Sequence, residues 1–210
     1  MSSSKKTTSS LAFVSKPALL SFCLLAVSIG TDYWYIIDVN KPNSQDLSSY
    51  SGLWTINEAN RTSVIPSFTA NMSALSKADR HLLELHRAVV ILLPLGLVLL
   101  VFGWIFGLVS SLAYSTKLLT GTAVYFLVCS IFTLTGVSLY IQYHSKAMEE
   151  FQRTVSPEDL AYVDVYFGWS FAMAWLSYSL ELATGLLLLL AAKITQMKGR
   201  YDCGVAVATL

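Results

Sequence analysis

The stretch AVVILLPLGLVLLVFGWIFGLVS, residues 88–110, runs for 23 positions without a charged side chain. A helix needs about 20 mostly apolar residues to cross some 30 Å of hydrocarbon, where no water is present to satisfy backbone N–H and C=O groups. The stretch therefore predicts a transmembrane helix. Three further runs predict the same: 11–31, with Lys16 near its start, 118–142 and 167–192. Together they predict an all-α membrane protein, a four-transmembrane-helix bundle formed as one domain over 1–210. Outer loops are expected at 32–87 and 143–166, with ends at 1–10 and 193–210.

Composition points the same way, with 54% hydrophobic residues, 13% charged residues and a mean hydropathy of +0.56. Such a chain takes the lipid bilayer as its first partner. A formal net charge of +1 creates no field that would attract nucleic acid. Placing both termini in the cytoplasm puts Lys5, Lys6, Lys16, Lys117, Lys193, Lys198 and Arg200 in short inner segments, as the positive-inside bias prefers. Apart from Glu181 and Asp202, every acidic residue then falls in the two outer loops. The N-x-S/T sequences at Asn60 and Asn71 share the first of those loops, where glycosylation requires a luminal face. A signal peptide cleaved near Ala26-Val27-Ser28 is the alternative reading of the first run, and would leave three spans.

Residues Thr31 to Val39 (TDYWYIIDV) are aromatic and β-branched and predict a strand, and Ser51 to Ile56 (SGLWTI) predict another. A small extracellular β-sheet formed mainly by the first outer loop follows. Val163 to Phe167 can add a strand to it, and Ser156-Pro157-Glu158-Asp159 reads as a turn or helix start. From about Ser76 the pattern turns helical and leads through Arg87 into the second span.

Within the spans, Glu181 is the one acid deep in an apolar run, flanked by Tyr178, Ser179 and Thr184. Its cost in hydrocarbon requires that it face the protein interior, be protonated or hydrogen-bond a neighbouring hydroxyl. A packing and assembly role is preferred; ion transport is the sharper alternative, and would want a second intramembrane carboxylate or a broken helix. Gly103-x-x-x-Gly107 permits close helix approach, either inside the bundle or in self-association. Cys23 and Cys129 lie in apolar runs as packing residues, whereas Cys203, beyond the last run and beside basic residues, is a candidate for lipidation. The pair His81 and His86 lies five residues apart and matches no zinc-protease spacing, and no nucleotide or nucleophile motif is present. No enzyme activity, cofactor or metal is expected.

Trp34, then Gly52-Leu53-Trp54, then Arg87 at the mouth of the second span, within a four-span chain with a long first loop, resemble the claudin superfamily. That superfamily includes claudins, epithelial membrane proteins and voltage-gated calcium-channel gamma subunits. The blocks GTDYWYI (30–36), SYSGLW (49–54), LHRAV (85–89) and FGWS (167–170) are most similar to a gamma-subunit-like branch. The resemblance implies an extracellular sheet above four helices, at the plasma membrane, working through other membrane proteins such as a channel subunit. It also implies two cysteines shortly after GLW that join the sheet by a disulfide; Asn57 and Ser63 stand at those positions here. A non-enzymatic auxiliary or regulatory subunit is the function expected, with a cell-contact component second and a small transporter using Glu181 third.

At least one of Asn60 and Asn71 is expected to carry a glycan, with Asn71, farther from the predicted strand, the more accessible. Glycosidase treatment of protein from mammalian cells should increase gel mobility, and Asn60→Gln/Asn71→Gln should abolish that increase. Identical mobility before and after treatment would remove this support for the topology.

Overall fold

The computed structural model describes residues 2–39, 49–58, 61–65, 68, 76–113, 115–154 and 162–208, excluding the side chains of 2–15, 58, 61, 78, 154 and 198–208. Four helices and five strands alternate along it: α1 (Ser2–Gly30), β1 (Tyr35–Val39), β2 (Ser49–Ser51), β3 (Thr55–Glu58), β4 (Arg61–Val64), α2 (Lys77–Leu112), α3 (Thr116–Thr154), β5 (Val163–Phe167) and α4 (Trp169–Ala208). Among the described residues three helices are long and apolar enough to cross a membrane, within Asp79–Leu112, Thr116–Arg153 and Trp169–Met197, and Lys16–Gly30 of α1 is a shorter apolar segment.

The helices outrun the apolar stretches that announce them. At ~1.5 Å per residue, the 39 residues of α3 extend ~58 Å, about twice the ~30 Å hydrocarbon core. The segment from His144, read from sequence as the start of an outer loop, continues α3 to Thr154 instead. Nothing in HSKAMEEFQR breaks a helix, and Arg153 Nη2 meets Glu149 Oε1 one turn earlier at 2.7 Å. Pro94 lies inside α2, where it withholds a backbone donor in the middle of an apolar run.

The strands form one sheet in the order β4-β3-β2-β1-β5, with every neighbouring pair antiparallel. Strand β5, from the segment before α4, thus adds to an edge built by the segment after α1. The Ser51–Ile56 stretch, expected as one strand, is instead a hairpin. Ser51 pairs with Ile56, Gly52 N donates to Thr55 O at 2.9 Å, and Leu53 and Trp54 form the turn between β2 and β3. Gly52 makes the difference: a Cβ there would overlap Asp32, so this position accepts glycine alone where a continuous strand would accept any residue. The fourth strand, β4, extends the meander, with Asn57 opposite Thr62 and Ile56 opposite Ser63. On the β1–β5 side Asp38 and Asp164 stand directly opposite, a like-charge pair that costs stability. Tyr166 Oη donates to Asp38 Oδ2 at 2.5 Å, and this bond holds the phenol above its ordinary pKa.

The chain resolves into two compact units. One comprises Met1–Cys23, Gly96–Ile131 and Ser177–Leu210; the other comprises Leu24–Leu95 and Phe132–Leu176 and holds the whole sheet. Every helix contributes residues to both.

The junction between β5 and α4 is set by Gly168. Gly168 N donates to Trp34 O at 3.0 Å, Ser170 N donates to Tyr33 O at 3.1 Å, and a Cβ on Gly168 would collide with the Tyr33 carbonyl. Gly168→Ala should therefore destabilise the purified protein by about 1–3 kcal/mol, because the clash is with backbone and no flexible side chain can yield. Gly30→Ala, where nothing lies within 4 Å of the added methyl, should leave the melting temperature in detergent unchanged or slightly raised. Equal effects of the two substitutions would contradict this account of the junction.

Candidate functional site

In the sheet-bearing unit, the residues that resemble family positions tie the sheet to the helices, and Trp34 does so through an aromatic core. Trp34 follows α1 by four residues and is wholly buried. Its ring lies 4.6 Å from Tyr140 of α3 and 6.0 Å from Phe171 of α4, while its Nε1 donates to Ser28 O at 2.7 Å. A buried indole needs a partner for its single donor, and the last turns of α1 supply one. Leu53 is also wholly buried, and the imidazole of buried His86 on α2 reaches the Leu53 backbone. The hairpin turn is thereby docked to a helix. Trp54 takes the opposite role: the residue is 42% exposed, but Nε1 donates to Ile29 O at 2.9 Å, tying the turn to the end of α1. Arg87 stacks its guanidinium 5.9 Å from the Phe68 ring.

A second aromatic series continues from this core. Tyr35 meets His144 at 4.1 Å, His144 meets Phe167 at 4.9 Å, and Phe167 stacks on Phe171 at 4.4 Å. On the surface, Tyr33 stacks between Tyr50 at 4.8 Å and Trp169 at 5.7 Å. The segment before β1, strand β2 and the start of α4 share that stack.

The other unit contains the intramembrane acid. Glu181 is fully buried on α4, and its Oε1 accepts from Ser177 Oγ at 3.1 Å and from Ser21 Oγ of α1 at 3.3 Å. The two hydroxyls lie 2.9 Å apart and reach each other's backbone carbonyls, Ser177 Oγ to Ser21 O at 2.9 Å and Ser21 Oγ to Ser177 O at 3.2 Å. This is a polar clasp between two apolar helices. Of the flanking residues noted from sequence, Thr184 turns its hydroxyl to Leu180 O of its own helix at 2.6 Å.

Small residues set the helix spacing in this unit. Gly103 is buried, and a Cβ there would lie 3.1 Å from the Tyr125 ring and 3.4 Å from Phe126, both on α3. Gly107 is buried one turn on. Gly185, which sequence reading passed over inside a leucine-rich run, comes closer still: its Cβ would meet Leu127 at 2.8 Å and the Ala123 carbonyl at 3.2 Å. Asn60 and Asn71 lie outside the described residues, as does the side chain of Cys203. Among the described residues no group of three or more His, Cys, Asp or Glu could hold a metal ion.

The family model described as PMP-22/EMP/MP20/Claudin tight junction matches residues 19–190, from α1 into α4. The chain belongs to this family. The protein is thus a multi-pass membrane protein, and its long apolar helices with a small antiparallel sheet are a claudin-like fold. Similar curated proteins include the voltage-dependent calcium channel gamma-5 subunits of Mus musculus and Rattus norvegicus, each 27% identical over 186 residues, and that of Homo sapiens at 26%. The match covers 81% of this chain but only 65% of each relative's length, so the chain spans just under two thirds of those proteins.

Sequence reading predicts a hydroxyl partner for Glu181 but does not single out Ser177 or Ser21. Ser177 stands one helical turn before Glu181, a spacing that flags it as a partner. Ser21 is 160 residues away and carries no local sign. Because Ser21 and Ser177 come from separate helices, Ser21→Ala/Ser177→Ala should remove the hydroxyl link between α1 and Glu181 and cost about 1–3 kcal/mol in thermal unfolding of the detergent-solubilised protein. Glu181→Gln keeps an acceptor at the same place and should cost less. In a Glu181→Leu background the double serine substitution should cost far less than in wild type. An undiminished cost there would show that the serines act without the carboxyl.

Proposed function

We propose that this chain is a non-enzymatic auxiliary or regulatory subunit of the plasma membrane, acting by lateral contact with other membrane proteins, a channel subunit among them. The similarity to proteins named as calcium-channel gamma subunits carries the reading. Both termini face the cytoplasm in this proposal, so the sheet and the sequons face outward.

The chemistry of the sheet favours lateral over cell-to-cell contact. All three cysteines, Cys23, Cys129 and Cys203, fall in helices, so no disulfide can form within the sheet. Where the family resemblance calls for cysteines, Asn57 Oδ1 accepts from Thr62 Oγ1 at 2.6 Å and Ser63 Oγ reaches Ile56 O at 3.5 Å, both at exposed positions. A disulfide in a small domain typically contributes about 2–5 kcal/mol, against about 0.5–1.5 for a hydrogen bond. The β3–β4 hairpin is therefore a weaker platform for load across a cell junction. The helices, by contrast, present apolar outer faces, with Phe102 and Ile105 on α2 and Leu186 and Leu190 on α4 about half exposed. Lipid or a neighbouring helix covers such faces equally well.

Gly103 and Gly107 are poor probes of that surface, since Gly103 already spaces α2 from α3 and Gly103→Leu would disturb the fold. Substituting outward residues is the cleaner test. Tagged protein should co-purify with a calcium-channel pore subunit from cells expressing both, and Leu186→Trp/Leu190→Trp should reduce recovery severalfold at unchanged surface expression. Mixed populations carrying differently tagged copies should show no enrichment at their contacts. Enrichment between populations, with no association inside co-expressing cells, would select the junction reading instead.

A further inference from the structure

The structure assigns a lipid site to the α2–α3 hairpin: we propose that one anionic glycerophospholipid lays an acyl chain in the trough between these helices and pairs its head group with Lys117. The trough has a volume of about 270 Å³ and is lined by Phe106 and Val109 of α2 and by Lys117, Leu118, Gly121, Thr122 and Tyr125 of α3. That is room for a run of methylene groups, yet below the roughly 300–1,000 Å³ of pockets that enclose a whole small ligand.

Its lining explains the choice of occupant. The two hydroxyls on the lining are already committed, Tyr125 Oη to Leu99 O at 3.0 Å and Thr122 Oγ1 to Leu118 O at 3.0 Å and Phe106 O at 3.4 Å. The walls thus offer hydrocarbon and aromatic surface, including the edge-on pair of Phe106 and Tyr125 at 5.3 Å. Gly121 opens the trough: it stands one turn after Lys117 and one turn before Tyr125, and nothing lies within 4 Å of the Cβ position. Any larger residue would fill the gap between its two neighbours. Exposed Lys117, in the first turn of α3, places the one formal charge among the described lining residues at the end of the trough nearest the start of α3. An apolar groove ending in a single cation at a membrane face matches a lipid tail ending in an anion, and an uncharged or soluble ligand would use only half of it. With both termini inside, the turn meets the cytoplasmic leaflet, where anionic lipids concentrate.

Native mass spectrometry of the full chain in mild detergent, titrated with dioleoyl phosphatidylserine or dioleoyl phosphatidylcholine, tests the assignment. Wild type should hold the serine lipid about fivefold more tightly, the increment one lysine gives near an anionic head group. Lys117→Gln should bring the serine lipid to the choline lipid's affinity and leave the latter unchanged. Gly121→Leu should remove one tightly held lipid of either kind. Val109→Trp fills the trough from the opposite wall and should do the same; it serves if Gly121→Leu fails to elute as a monodisperse species. Excess inorganic phosphate should displace nothing. A serine preference that survives Lys117→Gln, lipid counts unchanged by both filling variants, or displacement by phosphate would each overturn the proposal.

Discussion

Hydrocarbon supplies no hydrogen-bond partners, and this constraint orders the molecule from backbone to side chain. Each long apolar segment closes its backbone bonds within a helix, the one local structure that can do so. The same economy extends to hydroxyls: Thr122, Thr184 and Thr195 each donate to the carbonyl four residues earlier, and Ser130 to the carbonyl of Leu127. Hydroxyls also reach across to a second helix, Tyr125 to Leu99 O and Thr122 to Phe106 O from α3 to α2, and Ser28 to Ser170 O from α1 to α4. At Glu181, Ser21 and Ser177 reach across and meet a carboxyl as well, and the result is a specific polar pairing of α1 with α4.

The sheet-bearing unit solves a different problem, that of holding short strands which could not persist alone. A two-stranded hairpin is marginal in water, and β2 has only three residues. The solution is to route side chains from the strands and turns into the helices. Trp34 brings together the end of α1, Tyr140 and Phe171; Leu53 brings the hairpin turn to His86; and β5 is held through Gly168 and Phe167 at the start of α4. Strand β1 is bordered on both sides, by β2 and β5, so the segments following α1 and preceding α4 fold as one object. This arrangement supplies part of what a disulfide would otherwise provide, although it acts at the β1 side of the sheet and leaves β3–β4 to its backbone ladder and the Asn57–Thr62 bond.

Features written in one stretch of chain were legible in the sequence. The apolar runs appear as helices, the helix begins at Lys77 as the Ser76 pattern indicates, and β5 occupies Val163–Phe167. Features created by distant approach were not. Gly52-Leu53-Trp54 has strand-forming neighbours, and only the proximity of Asp32 reveals that Gly52 is required to be a glycine at a turn. Gly103 advertised itself through the spacing to Gly107, whereas Gly185, alone among leucines, had no such partner although it makes the tighter approach. Propensity likewise could not stop α3 at the membrane surface, since charged residues such as Glu149 and Arg153 mark the end of hydrocarbon without marking the end of a helix.

That distinction bears on how such a protein can act within a membrane. Contacts that fix the fold use glycines, serines and buried aromatics, and they are exhausted internally: Gly103 on Tyr125, Gly185 on Leu127, Ser21 on Ser177. What remains outside is chemically plain, large aliphatic and aromatic side chains with few polar atoms. A surface of that kind distinguishes partners by shape, because it has almost no hydrogen bonds with which to be selective and no hydrophobic gain over lipid. Specificity in the bilayer must then come from complementary grooves and ridges, or from the polar ends of the helices where a charge such as Lys117 can be read. The long helical extensions beyond the apolar runs place further charged groups at those ends, and it is there that a lateral partner has chemistry to recognise.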